Sequence, residues 1–493
     1  MSEAPNFGAR VRDDSGLVKT LDHQFPSANT AIPYLLRDSL PDADRAIEAH
    51  REFNEGVMRV DLFGLREGGR IDGELIAPLR PELPVLTPGE SYLVEAVIRT
   101  VKMGHLFTQG TADSNEVWLE LTVRDGDRLL GSSGLLEEPG RSVDEHAHFV
   151  NSFVIDRDGN RIDRRNAQDI FVALYNHQIP PGAADVVHYR LDLPPDLAGP
   201  VTIETRLRYR KFDTNYLRMF TDDPGRVNDL PILELAQDSV TLPVAGGPAV
   251  PEVSPRDVPE WERTNDYGIG LLRKGGVGQL RQAQEAFETV EALGRPDGPL
   301  NLARVYLKEG LVQQHAPEAL ARAAASEPAA PPWSLLWFGA QVAARNGDHV
   351  DAVAKLEDLI SGGFPEAVGR GFDFSKDYRV LAALGNSTFQ LGLRKRGEQR
   401  DALMNEARGW YEQALELDPE NLAAHWGLKQ VHEDLGNEAD EQRHAALHAR
   451  YKPDDNARDR AVAQARLRYP AANRAAEAVV IYELRDHRTA VGQ

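Results

Sequence analysis

Through the second half of the chain, small and large apolar residues return in one fixed order. Leu336, Gly339, Ala340, Ala343, Gly347, Ala352, Leu356 and Leu359 mark out two helices joined by a tight turn. Small side chains stand where the helices must approach, and large ones fill the space between them. The second helix of this pattern recurs at Ala316, Leu320, Ala323 and Pro328, and again at Ala407, Tyr411, Ala414 and Pro419. Both sets share one spacing, and each ends in a proline that stops a helix. Asn421, Leu428 and Gly436 fit the first helix of a further unit, and Ala283, Phe287 and Val290 fit the second helix of an earlier one. Such a hairpin cannot bury its apolar face alone, so about five of them must stack.

This spacing resembles the tetratricopeptide repeat, a helical hairpin of about 34 residues. The resemblance implies an open solenoid whose concave face binds a peptide, a partner helix or a neighbouring domain. An alanine-rich helical bundle is the competing reading, and the prolines recurring in register favour stacked hairpins. Residues 393–402 interrupt the period, and the tail after Pro453 reads as a capping helix pair. The array is therefore expected over 263–485.

Ahead of it the texture changes. Around 243–262 the chain runs PVAGGPAVPEVSPRDVPEW, with neither a helical nor an alternating period. A stiff, solvated linker is expected over 246–262. Before it, residues 92–101, 117–123, 149–155, 186–193 and 201–209 alternate apolar with polar side chains, as strands with one buried face do. Turn signals separate them: Asp125-Gly126, Asp158-Gly159, Pro180-Pro181-Gly182 and Gly199-Pro200. With 58–65 and 232–242 as flanking strands, the pattern predicts an antiparallel β-sandwich over 56–245. Residues 42–53 read as one amphipathic helix within an otherwise irregular segment over 1–55. The expected fold is thus multidomain α and β, a sandwich followed by a helical repeat solenoid.

Charge narrows the function classes. Lys and Arg number 56 and Asp and Glu 77, a net charge of −21. That balance disfavours nucleic acid and anionic membrane surfaces, which require a basic face. No apolar run approaches the roughly 20 residues of a membrane-spanning helix, and the charged opening lacks a signal-peptide core. The chain has no cysteine, which excludes disulfides, thiolate metal sites, a cysteine nucleophile and covalent haem attachment within it.

Few residues offer chemistry. His23, His105, His148 and His177 stand in distinctive local contexts, and His146 with His148 on one strand would aim both rings at one face. A metal site built on His146, His148 and Asp144 is one reading; surface or hydrogen-bonding histidines are the other. Residues 156–160 resemble the start of a calcium loop, but Arg161 and Ala167 occupy the sixth and twelfth places, so a hairpin turn is the better reading. The segment RLRYRKF at 206–212 alternates basic with apolar residues, fitting either a strand's wet face or a cationic strip for a phosphate or propionate. Neither GSSG at 131–134 nor GIG at 268–270 completes a nucleophile elbow or a dinucleotide loop.

The phrases HQFPSANTAIP, GHLFTQGTADSNEVWLELTV, NRIDRRNAQDIF, YNHQIPPGAADVVHYRL and RLRYRKFDTNY together resemble the carboxyl-terminal portion of multihaem c-type cytochromes that carry tetratricopeptide repeats. The resemblance implies an exported or periplasmic electron-transfer protein, with the present chain as its non-catalytic, partner-docking portion. It implies that Met1 stands just behind a haem motif of a longer parent, that haem c belongs to that region or to a partner, and that His23 and His105 are axial ligands to it. A tetratricopeptide scaffold independent of haem is the alternative, and a histidine-based metalloenzyme a further one. On all but the last, function is by protein binding, with no catalytic residue, no cofactor in this chain and no membrane span.

Overall fold

The computed structural model describes residues 4–5, 11–12, 18–20, 29–108, 113–221 and 223–487. The chain is mixed α and β, strands first and a helical array after them. It divides into two units, one of residues 1–256 with 460–493 and the other of residues 257–459. The division falls inside the proline-rich stretch, whose residues 247–257 take no regular structure.

Helix α1 (Ala43–Phe53) precedes the strands β1 (Met58–Glu67), β2 (Leu75–Ile76), β3 (Ser91–Thr100), β4 (Glu116–Asp125), β5 (Arg128–Ser133), β6 (His148–Phe149), β7 (Ser152–Ile155), β8 (Val172–Asn176), β9 (Ala184–Asp192), β10 (Val201–Arg210) and β11 (Ile232–Leu242). Two more, β12 (Ile481–Glu483) and β13 (Arg485–Asp486), come from the far end of the chain. One sheet runs β12-β9-β3-β1-β2 and the other β11-β10-β4-β5-β13, with β6 also on β4. Their ladders are antiparallel except that β12 lies parallel to β9.

Both sheets feed one apolar core. Val94, Ala96 and Ile98 of β3 join Val187, Tyr189 and Leu191 of β9, and Leu119, Leu121 and Val123 of β4 join Ile203 and Leu207 of β10. The alternation read from the sequence places these side chains together, since successive residues point to opposite faces. β3 departs from simple alternation, because Leu93, Glu95 and Val97 on its other face are buried as well. Glu95 persists there because it accepts from Arg66 Nε at 2.6 Å and lies 2.6 Å from Nδ1 of His188, its cross-strand partner. An unpaired carboxylate in that position would carry a large desolvation cost. The single strand expected over 149–155 is split. His148 and Phe149 pair with β4 through Leu119 and Trp118, after which the chain leaves that ladder and β7 pairs with β8.

The array unit consists of helical hairpins: α2 (Glu260–Lys274) with α3 (Val277–Ala292), α4 (Asp297–Glu309) with α5 (His315–Ala325), α6 (Pro332–Arg345) with α7 (His349–Ser361), α8 (Tyr378–Leu393) with α9 (Gly397–Leu417), and α10 (Leu422–Leu435) with α11 (Glu438–Tyr451). Each helix packs on its hairpin partner, and each hairpin on the next. Glycines set the closest approaches. A Cβ on Gly268 of α2 would stand 2.6 Å from the Phe287 ring of α3. Tyr411 of α9 is wedged between α8 and α10, where Cβ atoms on Gly385 and Gly427 would lie 2.8 and 2.1 Å from it. The interruption at 393–402 becomes a turn and the first residues of α9, a helix of 21 residues.

Beyond the array the chain returns to the strand unit. Helix α12 (Asp455–Arg468) and helix α13 (Pro470–Ala475) present Ala461, Ala465 and Ala472 to Phe153, Ile155 and Leu174 of β7 and β8. Residues 156–160 form the expected turn, with Asp156 accepting from the backbone N–H groups of Asp158 and Asn160 at 2.9 and 2.8 Å. The turn is also a dock, since Arg468 donates to the Asp158 carbonyl at 2.6 Å and to Asn160 Oδ1 at 2.7 Å.

Candidate functional site

Helix α4 carries a stripe of polar residues on an otherwise buried surface. Asn301, Arg304 and Lys308 recur at the spacing of one helix face, while Leu302, Ala303, Val305 and Leu307 are buried. Each of the three reaches the first helix of an adjoining hairpin. The Asn301 amide donates to Asn265 Oδ1 of α2 at 2.8 Å, and Lys308 Nζ donates to the Leu272 carbonyl at 3.0 Å. Arg304 turns the other way, its guanidinium 5.8 Å from the centre of the Phe338 ring on α6, while Nη1 donates to Asn301 Oδ1 at 2.7 Å. The stripe is carried onto α6 by Arg345, which donates to the Leu307 carbonyl.

The electrostatics of the stripe are one-sided. Burial depresses the pKa of Arg304, and among the described residues no carboxylate is paired with it. Burial also lowers Lys308, and the neighbouring Arg304 charge lowers it further. Two like charges one turn apart repel, and an incoming carboxylate would relieve both while accepting charge-assisted hydrogen bonds. The sequence signal is the sequence NLARVYLK itself, whose polar residues keep a helical period of their own. Attention to the apolar residues that define the hairpins passes over it.

Of the histidines singled out from the sequence and described, only His148 and His177 come together. His23 lies outside the described residues. His105 is exposed, and its Nδ1 lies 3.1 Å from the carbonyl of the adjoining Leu106. His146 is exposed in a turn, its backbone N–H donating to Asp144 Oδ1 at 3.0 Å. His148 is buried, its Nδ1 3.0 Å from the Tyr482 hydroxyl and its ring stacked on His177 at 5.1 Å. The two rings expected on one face are separated because β6 begins only at His148, and His146 belongs to the turn before it. Among the described residues no group of three His, Asp or Glu is placed to hold a metal ion. The basic strip is engaged internally: Arg208 pairs with Glu120 at 2.9 Å, Arg206 with Glu120 and Glu204, and Arg210 is buried against Glu116.

No protein-family profile matches the chain, and no curated protein matches it. Among solved structures it is similar to MamA, at 20% identity over 39% of this chain and 98% of that one, with a TM-score of 0.29. PilF of Pseudomonas aeruginosa matches at 16% identity over 43% of this chain and 92% of that one, TM-score 0.31. A monomeric mutant of IFIT1 with Gppp-AAAA matches at 17% identity over 39% of this chain and 43% of that one, TM-score 0.32. All three are tetratricopeptide-repeat proteins, and none is a multihaem cytochrome. The resemblance to multihaem c-type cytochromes is therefore corrected, and the haem-bearing parent or partner and the axial-ligand roles of His23 and His105 rested on that resemblance alone. Among the described residues no helix is long and apolar enough to cross a membrane.

Proposed function

We propose that the helical array is a protein-docking scaffold of the tetratricopeptide type, and that the stripe formed by Asn265, Asn301, Arg304 and Lys308 receives an acidic segment of a partner. The observation that carries this reading is Arg304, a guanidinium set among first helices over the Phe338 ring with an amide beside it and no carboxylate paired with it among the described residues. A planar cation held in place by an amide and a ring is preorganised for the two oxygens of a carboxylate. Recognition of this kind binds and releases without covalent chemistry, in keeping with an open array of stacked hairpins. The strand unit, with two sheets on one core, we read as an antiparallel β-sandwich.

Selection of a random-peptide library on the full chain tests the reading. Enriched peptides are expected to carry Asp or Glu, to lose about tenfold or more in affinity in Arg304→Ala, and to bind more weakly as salt rises. Enrichment without acidic residues, or affinity indifferent to Arg304→Ala, would overturn it.

A further inference from the structure

The strand unit holds a cavity of about 370 Å³, within the range of small-molecule sites. Its walls come from distant parts of the sequence: Glu116 on β4, Phe153 on β7, Tyr175 on β8, Asp213 after β10, and Tyr469 between α12 and α13. Phe153 anchors an aromatic wall, with the rings of Tyr469 and Tyr175 at 5.2 and 5.7 Å from its own. The lining also holds two buried carboxylates, each already matched by a guanidinium. Glu116 accepts from Arg210 Nε at 2.7 Å, and Asp213 from Arg161 Nη2 at 3.1 Å. Arg161 is fixed in turn, because its backbone N–H donates to the Tyr469 hydroxyl at 3.0 Å and its guanidinium lies 5.1 Å from the Phe153 ring centre.

Three ligand classes can be compared. An anion would meet Glu116, Glu145, Asp163 and Asp213 on the lining against Arg161 and Arg468. A cation would have to displace or adjoin the guanidiniums that already satisfy the two buried carboxylates. A wholly apolar ligand would displace water from the lining amides of Asn151 and Asn215 without replacing its hydrogen bonds. A ligand with an apolar face and a rim of groups that both donate and accept meets none of these costs, and a pyranose ring has that form. We propose that this cavity binds a neutral polyhydroxylated ligand of mono- to disaccharide size, its ring face on the aromatic wall and its hydroxyls on Glu116, Asp213 and the asparagine amides. Burial, opposed by the Arg210 charge and helped by that of Asp213, pushes the Glu116 carboxyl up to about 7, while Arg210 donates to one of its oxygens at 2.7 Å.

The test is calorimetric titration of the full chain with glucose, galactose, mannose, N-acetylglucosamine, maltose and cellobiose, with spermidine and inorganic phosphate as the contrasting probes. At least one sugar is expected to bind saturably. That binding is expected to weaken about tenfold or more in Asp213→Asn and in Tyr469→Ala, and to be unchanged in Arg304→Ala. If melting shows that Asp213→Asn is unfolded, the exposed lining residue Asn215 carries the test through Asn215→Ala, with a loss of about threefold or more. Absence of binding by every sugar, saturable binding by spermidine or phosphate alone, or sugar affinity equal in the folded variants would overturn the proposal.

Discussion

The hydroxyl of Tyr482 lies 3.0 Å from Nδ1 of His148, although 334 residues separate the two in the chain. Tyr482 belongs to β12, which adds to the edge of β9, and its ring packs on Tyr189 at 5.6 Å. The last described strands are thus part of the strand unit's core. Tyr482→Ala is expected to lower the free energy of opening that core by about 3–5 kcal/mol, through lost burial and the cavity left behind. Tyr482→Phe removes one hydrogen bond and should lower it by about 1 kcal/mol. Hydrogen exchange at the β9 amides measures both; equal effects would mean that the hydroxyl, and not the ring, is what matters.

Glu95 is a fully buried acid of the strand unit, held by Arg66 and His188. Burial alone would raise its carboxyl, but the charges and hydrogen bonds of His188 and Arg66 outweigh it and hold the pKa below the ordinary value. Because the folded-state pKa is depressed, the stabilisation is present above the ordinary carboxylate range and lost as acid protonates the folded form. Glu95→Gln leaves Arg66 and His188 without their counter-charge and should cost about 3–5 kcal/mol. Exchange at the β3 amides is the readout. Protection unchanged at neutral pH and unaltered in its acid dependence would show that the network contributes nothing.

The contrast between what could and could not be anticipated is one of range. The hairpins were legible because Ala283, Phe287 and Val290, or Ala407, Tyr411 and Ala414, express their packing at spacings fixed within one helix. The main strands were legible for the same reason, since β10 and β11 carry their alternation openly. Residues 156–160 could be read as a turn from their local hydrogen bonding, but not as the dock for Arg468, which approaches from 308 residues away. Tyr482 sits in a three-residue strand whose sequence carries no period. The stripe on α4 was visible as residues but not as a site, because its meaning depends on Asn265 and Phe338 in two other helices. The family phrases misled because likeness of wording does not specify packing.

Gly427 tests whether the array's small residues are there for contact. A Cβ would stand 2.1 Å from the Tyr411 ring, so Gly427→Ala forces the tyrosine or the helix to shift. Overpacking of this kind costs about 1–3 kcal/mol, more than the gain in helix propensity offsets. Gly409 on α9 supplies the control, since a Cβ there meets nothing within 4 Å. Gly409→Ala should stabilise by up to about 1 kcal/mol. Thermal melting followed by helical circular dichroism distinguishes them: the first variant melts earlier than the parent and the second later. The same shift in both would refute the packing role.

His444 makes the array sensitive to acid. Its Nδ1 lies 3.0 Å from Nδ1 of His425, which requires one nitrogen to donate and the other to accept, and its ring stacks on His432 at 5.7 Å. Burial, then the charges of His425, Arg443 and His432, push its pKa down to about 4, with Asp440 acting weakly in the opposite direction. The unfolded chain takes up the proton near the ordinary histidine value of about 6.5, whereas the folded array resists until about 4. Protons therefore favour the unfolded state across that window, and the stabilisation present above about pH 6.5 is lost progressively as the pH falls toward 4. The melting temperature of the array should decline through this range, and His444→Gln, which keeps an amide for His425 and removes the titrating group, should decline less steeply. A slope identical in parent and variant would place the acid sensitivity elsewhere in the molecule.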